Sequence, residues 1–395
     1  MRQASASALD ERMRDGVDRV RQADLLVGIP SFNNAATIGH VARTAATGLC
    51  TYFPDARVVI VNADGGSRDG TGDAVTRATG DVPTVAGAYV GPPGKGSAFR
   101  AIFEVAGALG VRACAVVDSD LRSITPAWID RLLSPIASGR ADYVTPLYAR
   151  HKFDGTITNN VAYPLTRALY GLRLRQPIGG EFGFSADLAQ AFLAPDVWQT
   201  DVARFGIDIY MTTTALVRSE RIVQAFLGAK IHDPKDPGSD LAPMFIQVVG
   251  TAFRLAIANH DRWSHVQASR QADVVGSVEP VEPEAVNASI EVLQRKFAAG
   301  RDEHAATWAE VLSGPVPERV EDAAWARMVY DFLLAAKRDP ASLERLVGAL
   351  VPLYFARVAA FIERARDLDA TGSEALIEAQ AATFETVKAE LVSRW

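Results

Sequence analysis

Cysteine is scarce in this chain: only Cys50 and Cys114 occur among 395 residues, and no CxxC pair is present. A disulfide framework or a cysteine zinc site is therefore not expected, and a reducing compartment is the default. No apolar run near the start resembles a signal peptide, and no segment offers about 18 uninterrupted apolar residues. These absences predict a cytoplasmic protein that does not enter a membrane.

An excess of positive charge is also missing, since 41 Lys and Arg residues face 47 Asp and Glu residues, for a formal net charge of −6. That balance argues against a protein built to coat nucleic acid or an anionic membrane. The hydrophobic content of 48% and the charged content of 22% are typical of a soluble globular protein. At this length, one large domain with an appendage or two domains are expected.

Short β-rich runs alternate with helical patterns over residues 24–145. The runs DLLVGIP, ARVVIVNAD and ACAVV predict strands, and helical patterns separate them. This alternation predicts an α/β fold with a Rossmann-like, mostly parallel sheet and helices on both faces. Further along, TNNVAYPLTRALYG and FGIDIYMTTTALVRS predict helices, and QPIGGEFGFS between them is predicted to be a loop.

The composition changes near residue 280, where VGSVEPVEPEAV has the Pro and Glu content of a linker. Almost everything that follows has a helical period, including LVGALVPLYFARVAAFIERA, in which Pro352 would start or kink a helix. We therefore expect an N-terminal helical extension over residues 1–23, a catalytic α/β domain over residues 24–280 and a helical C-terminal region over residues 281–395.

Two carboxylates, Asp118 and Asp120, come directly after the apolar run ACAVV, with Ser119 between them. Unpaired buried charge is costly, so a positive partner is expected: a basic side chain, a helix N-terminus or a metal ion. Carboxylates at a strand end suit Mg²⁺ or Mn²⁺, which one or two carboxylates commonly hold together with substrate phosphates. Asp as the N-cap of the following helix is the alternative.

Other strand ends and helix starts carry groups that suit a nucleotide. PPGKGSAF places Lys95 at a helix start, where backbone N–H groups and an ammonium can meet a phosphate, although the P-loop pattern is absent. NADGGSRDGT could hold a base or ribose through Asp64, with a plain strand-to-helix turn as the alternative. His232 follows a β-like run and could be a metal ligand beside Asp120 or a solvent-facing loop residue.

Seven segments, in order, resemble the retaining GT-A glycosyltransferases, in particular mannosylglycerate synthase and glucosyl-3-phosphoglycerate synthase. They are PSFNNAATIGHV, NADGGSRDGT, GPPGKGSAFRA, VVDSDL, QPIGGEFGFS, RFGIDIYMT and LGAKIHD, and the resemblance covers roughly residues 24–260. It implies a GT-A fold and transfer of mannose or glucose from a nucleotide diphosphate sugar, GDP-mannose or UDP-glucose, with retention at the anomeric carbon. A divalent metal, Mg²⁺ or Mn²⁺, a small acid acceptor and a homodimer are expected with it.

The resemblance also gives roles to residues at the matching positions. Asp120 and His232 would bind the metal. Asp208 would hold the hydroxyls of the donor sugar, and the loop of Ile178, Gly179, Gly180 and Glu181 would line that sugar at the catalytic centre. The remaining nucleotide-sugar residues would be Pro30, Ser31, Phe32, Asn34, Asp64, Ser67, Lys95, Asp118 and Ser119.

The segment ARHKFDGTIT resembles the part of mannosylglycerate synthase that grips the glycerate carboxylate, which implies Arg150, Asp154 and Thr158 as acceptor residues. A guanidinium suits a carboxylate because the two can pair bidentately. The phosphoglycerate enzymes carry an Arg-containing turn here, and its absence favours a non-phosphorylated acid such as D-glycerate. His151 and Lys152 could still serve a phosphate, so 3-phosphoglycerate stays an alternative acceptor.

Two retaining mechanisms are open. Double displacement needs a carboxylate nucleophile, for which Asp208 and Glu181 are the candidates. Front-face attack, in which the leaving phosphate takes the acceptor proton, needs no dedicated base and is the preferred hypothesis. Competing functions are an inverting GT-A transferase acting on a polysaccharide or lipid, a sugar nucleotidyltransferase, and a nucleotide-sugar-binding module that has lost activity.

Overall fold

The structure, a computed structural model, describes residues 6–194, 196–231, 241–277, 281 and 283–395. The chain forms two compact units. The sheet unit contains Met1–Ala149, Ile178–Asp233 and Ala272–Pro283, and the helical unit contains Arg150–Pro177, Pro234–Gln271 and Glu284–Trp395. The helical unit thus includes two segments that precede residue 280. The domain boundaries at residues 23 and 280 stay a prediction.

Strands and helices alternate along the first part of the chain, and helices dominate the last part. The strands are β1 (Leu25–Ser31), β2 (Val58–Asp64), β3 (Thr84–Ala88), β4 (Ala113–Val116), β5 (Tyr143–Ala149), β6 (Leu172–Arg173), β7 (Phe182–Ser185), β8 (Ile222–Ala229), β9 (Arg270–Gln271) and β10 (Asp273–Val275). The helices are α1 (Glu11–Val20), α2 (Ile38–Tyr52), α3 (Thr71–Ala78), α4 (Lys95–Ala108), α5 (Pro126–Ala137), α6 (Tyr163–Tyr170), α7 (Ala186–Leu193), α8 (Ile207–Arg218), α9 (Leu241–Ala258), α10 (His260–Trp263), α11 (Ile290–Val311), α12 (Asp322–Arg338), α13 (Leu343–Ala365) and α14 (Ala370–Ser393).

The main sheet has the strand order β10-β8-β5-β7-β4-β1-β2-β3. Its pairs are parallel except those of β7, which runs antiparallel to β4 and β5. The predicted mostly parallel α/β class is confirmed, but the prediction that QPIGGEFGFS is entirely a loop is wrong, because the segment ends in β7. Gly183 lets this strand pass close to α5, since a Cβ there would lie 2.1 Å from the Leu132 carbonyl oxygen.

Helices cover both faces of the sheet, as predicted. On one face, alternate residues of β1 join a core to which α2, α3 and α5 contribute; they are Leu25, Val27 and Ile29. On the other face α4 packs against β1 and β2. Gly28 makes room for that helix, because a Cβ there would lie 2.6 Å from Ile102 Cγ2.

The helical unit has its own core, which confirms the predicted helical C-terminal region. Side chains from α6, α13 and α14 form one part of it: Tyr163, Phe361, Ala365, Ile377 and Ala381. Pro352 lies inside α13 rather than at its start. Gly300 of α11 packs directly against it, since a Cβ at Gly300 would lie 2.1 Å from Pro352 Cγ.

By length and composition alone, two helical stretches of the described chain could cross a membrane: Leu241–Ala258, with a mean hydropathy of 1.6, and Pro340–Ala365, with 1.7. The apolar window of the second is 89% buried, as in a core helix of a soluble protein, and that of the first is 44% buried. A search of the sequence for an uninterrupted apolar run does not find Leu241–Ala258, because Gln247, Thr251 and Arg254 interrupt that stretch. That the protein stays out of membranes remains a prediction.

Candidate functional site

The carboxyl ends of β1, β2 and β4 lie at the same edge of the sheet, because these adjacent strands are parallel. β7 runs in the opposite direction, so the loop that precedes it reaches this edge too. Pairing of Val116 with Phe182 brings the residues after β4 beside the residues before β7. The Asp118 backbone N–H accordingly points to Glu181 Oε1, 3.4 Å away. This carboxyl edge is where mostly parallel sheets bind ligands.

Asp118 lies between two lysines. Lys95 Nζ is 2.8 Å from Asp118 Oδ1, and Lys230 Nζ is 3.2 Å from Asp118 Oδ2. Lys95 is the first residue of α4, as predicted, and Lys230 directly follows β8. Of the three positive partners expected for this carboxylate, the structure therefore provides basic side chains.

Glu181 is fully buried and shares Lys230 with Asp118. The Lys230 ammonium lies 2.9 Å from Glu181 Oε2 and 3.1 Å from Oε1, and it donates to the Gly179 carbonyl over 2.8 Å. The Tyr148 hydroxyl, near the end of β5, donates to Glu181 Oε2. Charge and hydrogen bonding thus compensate the burial of this carboxylate.

Gly180 brings the loop before β7 against this ion pair. Its φ of +95° lies in the left-handed region that favours glycine. A Cβ at this position would lie 2.4 Å from Asp118 Oδ2 and 3.0 Å from Lys230 Nζ. Gly180 and Glu181, two of the predicted sugar-lining residues, therefore lie beside Asp118.

Asp208, in the first turn of α8, is a further neighbour of Lys95. Lys95 Nζ lies 3.3 Å from Asp208 Oδ1 and 3.5 Å from Oδ2. Gly96 allows the segment before α8 to approach α4 closely, because a Cβ there would lie 1.7 Å from the Val202 carbonyl oxygen. This packing brings the predicted residues Lys95, Asp118 and Asp208 together.

Burial and ion pairing give the three carboxylates different pKa values. Burial raises the pKa of Glu181 to about 7, and Lys230 only partly opposes that shift. Burial also raises the pKa of Asp208, against the effect of Lys95. Burial would raise the pKa of Asp118 as well, but Lys95 and Lys230 outweigh it and hold that pKa well below its ordinary value. Near neutral pH Asp118 is ionised, and Glu181 is a group whose charge can change.

Asp64, the last residue of β2, joins the loops after β1 and β2. Its Oδ1 accepts from the Ser31 hydroxyl at 2.8 Å and the Ser67 hydroxyl at 2.7 Å. Its Oδ2 accepts from the backbone N–H groups of Gly66 at 2.9 Å and Ser67 at 2.6 Å. The structure thus brings together three predicted nucleotide residues, and their contact with a nucleotide stays a prediction.

Asn34 connects the loop after β1 to the segment that holds the two carboxylates. Its Oδ1 accepts from the Ser119 hydroxyl at 2.8 Å and from the Phe32 backbone N–H at 3.0 Å. The backbone N–H of Asn34 donates to Thr71 Oγ1 at 2.9 Å. The predicted residues Phe32, Asn34 and Ser119 therefore belong to the same edge.

Phe32 exposes 62% of its surface, whereas Pro30 two residues earlier is buried in β1. Gly65 lies against its ring, since a Cβ there would be 3.0 Å from Phe32 Cδ2. Exposure of a large aromatic side chain beside a polar strand edge provides a face on which a nucleobase can stack.

The predicted acceptor residues Arg150, Asp154 and Thr158 all belong to the helical unit. Arg150 Nε lies 2.8 Å from Asp154 Oδ2, and an Arg150 terminal nitrogen donates to Gln176 Oε1 at 3.4 Å. Thr158 is buried and begins a π-helical turn, Thr158–Ala162. The structure brings Arg150 and Asp154 together as an ion pair.

The two other basic groups of this segment have local roles. Lys152 Nζ donates to the backbone carbonyls of Arg366 at 2.6 Å and Leu368 at 2.7 Å, just after α13. Burial lowers the pKa of His151, and the charge of Lys152 lowers it further. The imidazole is therefore neutral at physiological pH.

The predicted metal ligands are only partly within the described chain. Asp120 is half-buried at the carboxyl edge, whereas His232 lies outside the described residues. Over the described ranges, no group of three or more His, Cys, Asp and Glu side chains is placed to hold a metal ion. Helix α5 begins at Pro126 with Thr125 as its N-cap, so the helix-cap alternative for Asp120 is wrong. One carboxylate fits an ion that takes its other oxygen ligands from substrate phosphates.

Two residues of the charged cluster, Lys230 and Tyr148, were missed from the sequence. Lys230 had a usable signal, since it lies near the end of a predicted β-like run and stands two residues before His232. Tyr148 had a weaker signal, because no strand was predicted over the residues that form β5.

No family model matches the chain, and no curated protein matches it in sequence. Three similar solved structures are of glucosyl-3-phosphoglycerate synthase from Mycobacterium tuberculosis: with Mn²⁺, UDP and glucosyl-3-phosphoglycerate; with Mg²⁺ and UDP; and with Mn²⁺, UDP-glucose and phosphoglyceric acid. Each is 22% identical, with TM-scores of 0.49, 0.48 and 0.48, and the matches cover 64%, 63% and 64% of this chain and 86%, 85% and 85% of those chains. At that similarity, evidence for an activity has to come from the side chains of this protein.

Proposed function

We propose that this protein is a metal-dependent, retaining GT-A glycosyltransferase that moves a hexose from a nucleotide diphosphate sugar to a small, non-phosphorylated hydroxy acid. One observation carries the proposal: at the carboxyl edge of the sheet Lys230 pairs with both Asp118 and Glu181, and Lys95 pairs with both Asp118 and Asp208. Asp120 and the exposed Phe32 belong to the same edge. Such an edge offers a stacking face, a cation and carboxylates within one site.

The donor would lie along this edge. Phe32 would stack on the nucleobase, and Lys95 would face the diphosphate, to which an ammonium is attracted. Asp120, with His232 as the resemblance implies, would hold the divalent metal. A metal bound there would supply Lewis-acid stabilisation of the charge on the leaving diphosphate. The loop of Gly179, Gly180 and Glu181 would line the hexose.

Front-face transfer fits these carboxylates better than double displacement. Asp208 is paired with Lys95, and Glu181 is paired with Lys230 and Tyr148. These contacts engage the carboxylate oxygens that a nucleophile would have to present to the anomeric carbon. In front-face transfer the bond from the anomeric carbon to phosphate breaks, the bond to the acceptor oxygen forms, and the acceptor proton goes to the departing phosphate.

Charges around Arg150 support a non-phosphorylated acceptor. Asp154 already balances the guanidinium at 2.8 Å, and the lowered pKa of His151 disfavours its charged form. Lys152 is engaged by two backbone carbonyls. A carboxylate could exchange with Asp154 on Arg150, whereas a phosphate would have only Lys152 as a further cation, and that ammonium already donates to two backbone carbonyls. D-glycerate therefore fits better than 3-phosphoglycerate.

The donor half of the proposal is tested by calorimetry of UDP, GDP and ADP, each with Mn²⁺ and with EDTA. One nucleotide should bind in a metal-dependent manner, and Asp120→Ala should abolish the metal dependence because it removes the proposed carboxylate ligand. The matched control is Asp81→Ala, an exposed carboxylate just before β3, at the opposite edge of the sheet. Binding that EDTA leaves unchanged would exclude the metal role of Asp120.

The acceptor half is tested by offering D-glycerate and 3-phosphoglycerate with the sugar nucleotide whose base binds. We expect kcat/KM for D-glycerate to exceed that for 3-phosphoglycerate by about tenfold or more, the cost of one poorly compensated charge. The anomeric configuration of the product, measured by NMR, should match that of the donor. A preference for 3-phosphoglycerate would overturn the acceptor assignment and leave the donor site intact.

A further inference from the structure

Lys230 occupies an unusual position in the sheet unit. It directly follows β8, and only 9% of its surface is exposed. Its ammonium also lies 5.4 Å from the centre of the Tyr148 ring, within the range of a cation–π contact. A lysine placed this deep needs compensating partners, because an ammonium removed from water is costly.

Its partners come from two separate parts of the chain. One is Asp118 after β4, at 3.2 Å, and the others are the Gly179 carbonyl and Glu181 before β7, at 2.8 and 2.9 Å. An ammonium has three N–H donors. These three groups can accept a hydrogen bond from each of the three N–H donors. The Lys230 ammonium therefore faces the protein groups found where β4 and β8 end and β7 begins.

Lys95 provides the contrast. Its side chain is 16% exposed, against 6% for that of Lys230, and both of its partners are carboxylates. Its ion-pair partners, Asp118 and Asp208, lie outside the Gly179–Glu181 loop. The two lysines therefore differ in their place in the cluster. Lys95 is the more accessible cation, and Lys230 joins the loop to Asp118.

We infer that Lys230 is a positioning residue, which holds the Gly179–Glu181 loop against Asp118 in the arrangement that accepts the donor sugar without itself contacting the donor. The inference rests on the proposed function, in which this loop lines the hexose. Its geometric basis is the close approach at Gly180, where even a Cβ would lie 3.0 Å from Lys230 Nζ. Loss of the ammonium would release the loop from the carboxylate that it packs on.

A purely electrostatic role is the competing explanation. In that case Lys230 would matter only because it balances two buried carboxylates, and removing one of those charges together with Lys230 would restore function. Removal of one member of a buried ion pair is destabilising, whereas removal of both is often tolerated. The two explanations therefore differ in the behaviour of a double variant.

The experiment compares Lys230→Met, Glu181→Gln and the double variant Lys230→Met/Glu181→Gln. For each protein, thermal unfolding, binding of the nucleotide diphosphate with Mn²⁺, and kcat and KM with the corresponding sugar nucleotide are measured. UDP with UDP-glucose, or GDP with GDP-mannose, is used according to which nucleotide the wild type binds. The matched control is Lys388→Met, a lysine of the helical unit that is 5% exposed and donates to three backbone carbonyls.

A positioning role predicts three results. Lys230→Met should lower kcat by about 100-fold, the size of effect expected when a reacting group is misplaced by about 1 Å. Nucleotide diphosphate affinity should stay within about twofold, since that ligand has no sugar for the loop to hold. The double variant should recover thermal stability relative to Lys230→Met without recovering kcat, and Lys388→Met should lower stability with little change in kcat.

Recovery of kcat in the double variant to the level of Glu181→Gln would overturn the inference, because charge balance alone would then explain Lys230. Equal fold losses in nucleotide diphosphate affinity and in kcat/KM for the sugar nucleotide in Lys230→Met would also overturn it. Failure of the proposed function is visible separately, in a wild-type protein that binds none of the three nucleotides. In that case the proposed function and the inference about Lys230 would both be wrong, and the measurement on the wild type alone would show it.

Discussion

The Glu181→Gln substitution should change how the stability of this protein depends on pH. Glu181 is fully buried, and burial raises its pKa from the ordinary value of 4.5 to about 7. Between these values the folded protein keeps a proton that the unfolded chain has released. The stabilising contribution of that proton is fully present below the pKa of the unfolded chain and is lost as the pH rises through the folded value.

The size of the effect follows from the two pKa values. Linkage between proton binding and folding gives a loss of about 2.5 kcal/mol in the free energy of unfolding between pH 5 and pH 8. No reduction for solvent screening applies, since Glu181 is 0% exposed. Glutamine has the same shape, can still accept from Tyr148 and cannot ionise, so this part of the pH dependence should disappear in the variant.

Urea denaturation at pH 5 and pH 8 measures the difference. The wild type should lose about 2.5 kcal/mol more than Glu181→Gln between the two pH values. Glu310→Gln, an exposed carboxyl of α11, is the control and should follow the wild type. Parallel pH dependence in wild type and Glu181→Gln would refute the reasoning, because Glu181 would then be ionised throughout and fully compensated by Lys230.

Two further substitutions test the stacking face and the packing of the helical unit. Phe32→Ala should weaken nucleotide binding by about 10-fold, since base stacking contributes roughly 1–3 kcal/mol, and calorimetry should show unchanged pyrophosphate binding. An equal loss for both ligands would contradict a stacking role. Gly300→Ala should lower the free energy of unfolding by about 1–3 kcal/mol, because its Cβ would lie 2.1 Å from Pro352 Cγ. Gly348→Ala, with open space around the added Cβ, should instead raise it by roughly 0.5–1 kcal/mol, and urea denaturation distinguishes the two.

The sequence predicted the parts of the fold that have a local signal. β1 and β2 are apolar runs that end in polar residues, and α4 begins at Lys95 as its Gly-flanked start indicates. β7 was missed because it has only four residues, contains Gly183 and has no β-branched residue, and only pairing with β4 and β5 reveals it. Cytoplasmic location and the homodimer stay predictions.

In the candidate site too, residues with a local sequence signal were predicted, and residues placed there only by tertiary contacts were missed. Asp118 and Lys95 were selected from their places at a strand end and a helix start, Asp208 was selected through the resemblance, and the structure brings the three together. The contacts of Lys230 join residues 112 and 49 positions apart in the chain, and no local pattern predicts such pairs. Tyr148 depends on β5 lying beside β7, which again is tertiary information.

In the segment Asp118-Ser119-Asp120, the first carboxylate is poorly placed to bind a metal ion. Both oxygens of Asp118 lie within 3.2 Å of an ammonium group. A divalent ion bound to that carboxylate would come within about 5 Å of both ammonium groups, and its repulsion from each would be about 6–7 kcal/mol at an effective dielectric constant of about 20. A metal at this edge therefore favours Asp120, and Asp118 instead fixes the positions of Lys95 and Lys230. The charge that the sequence required opposite this strand end is supplied at Asp118 by two lysines.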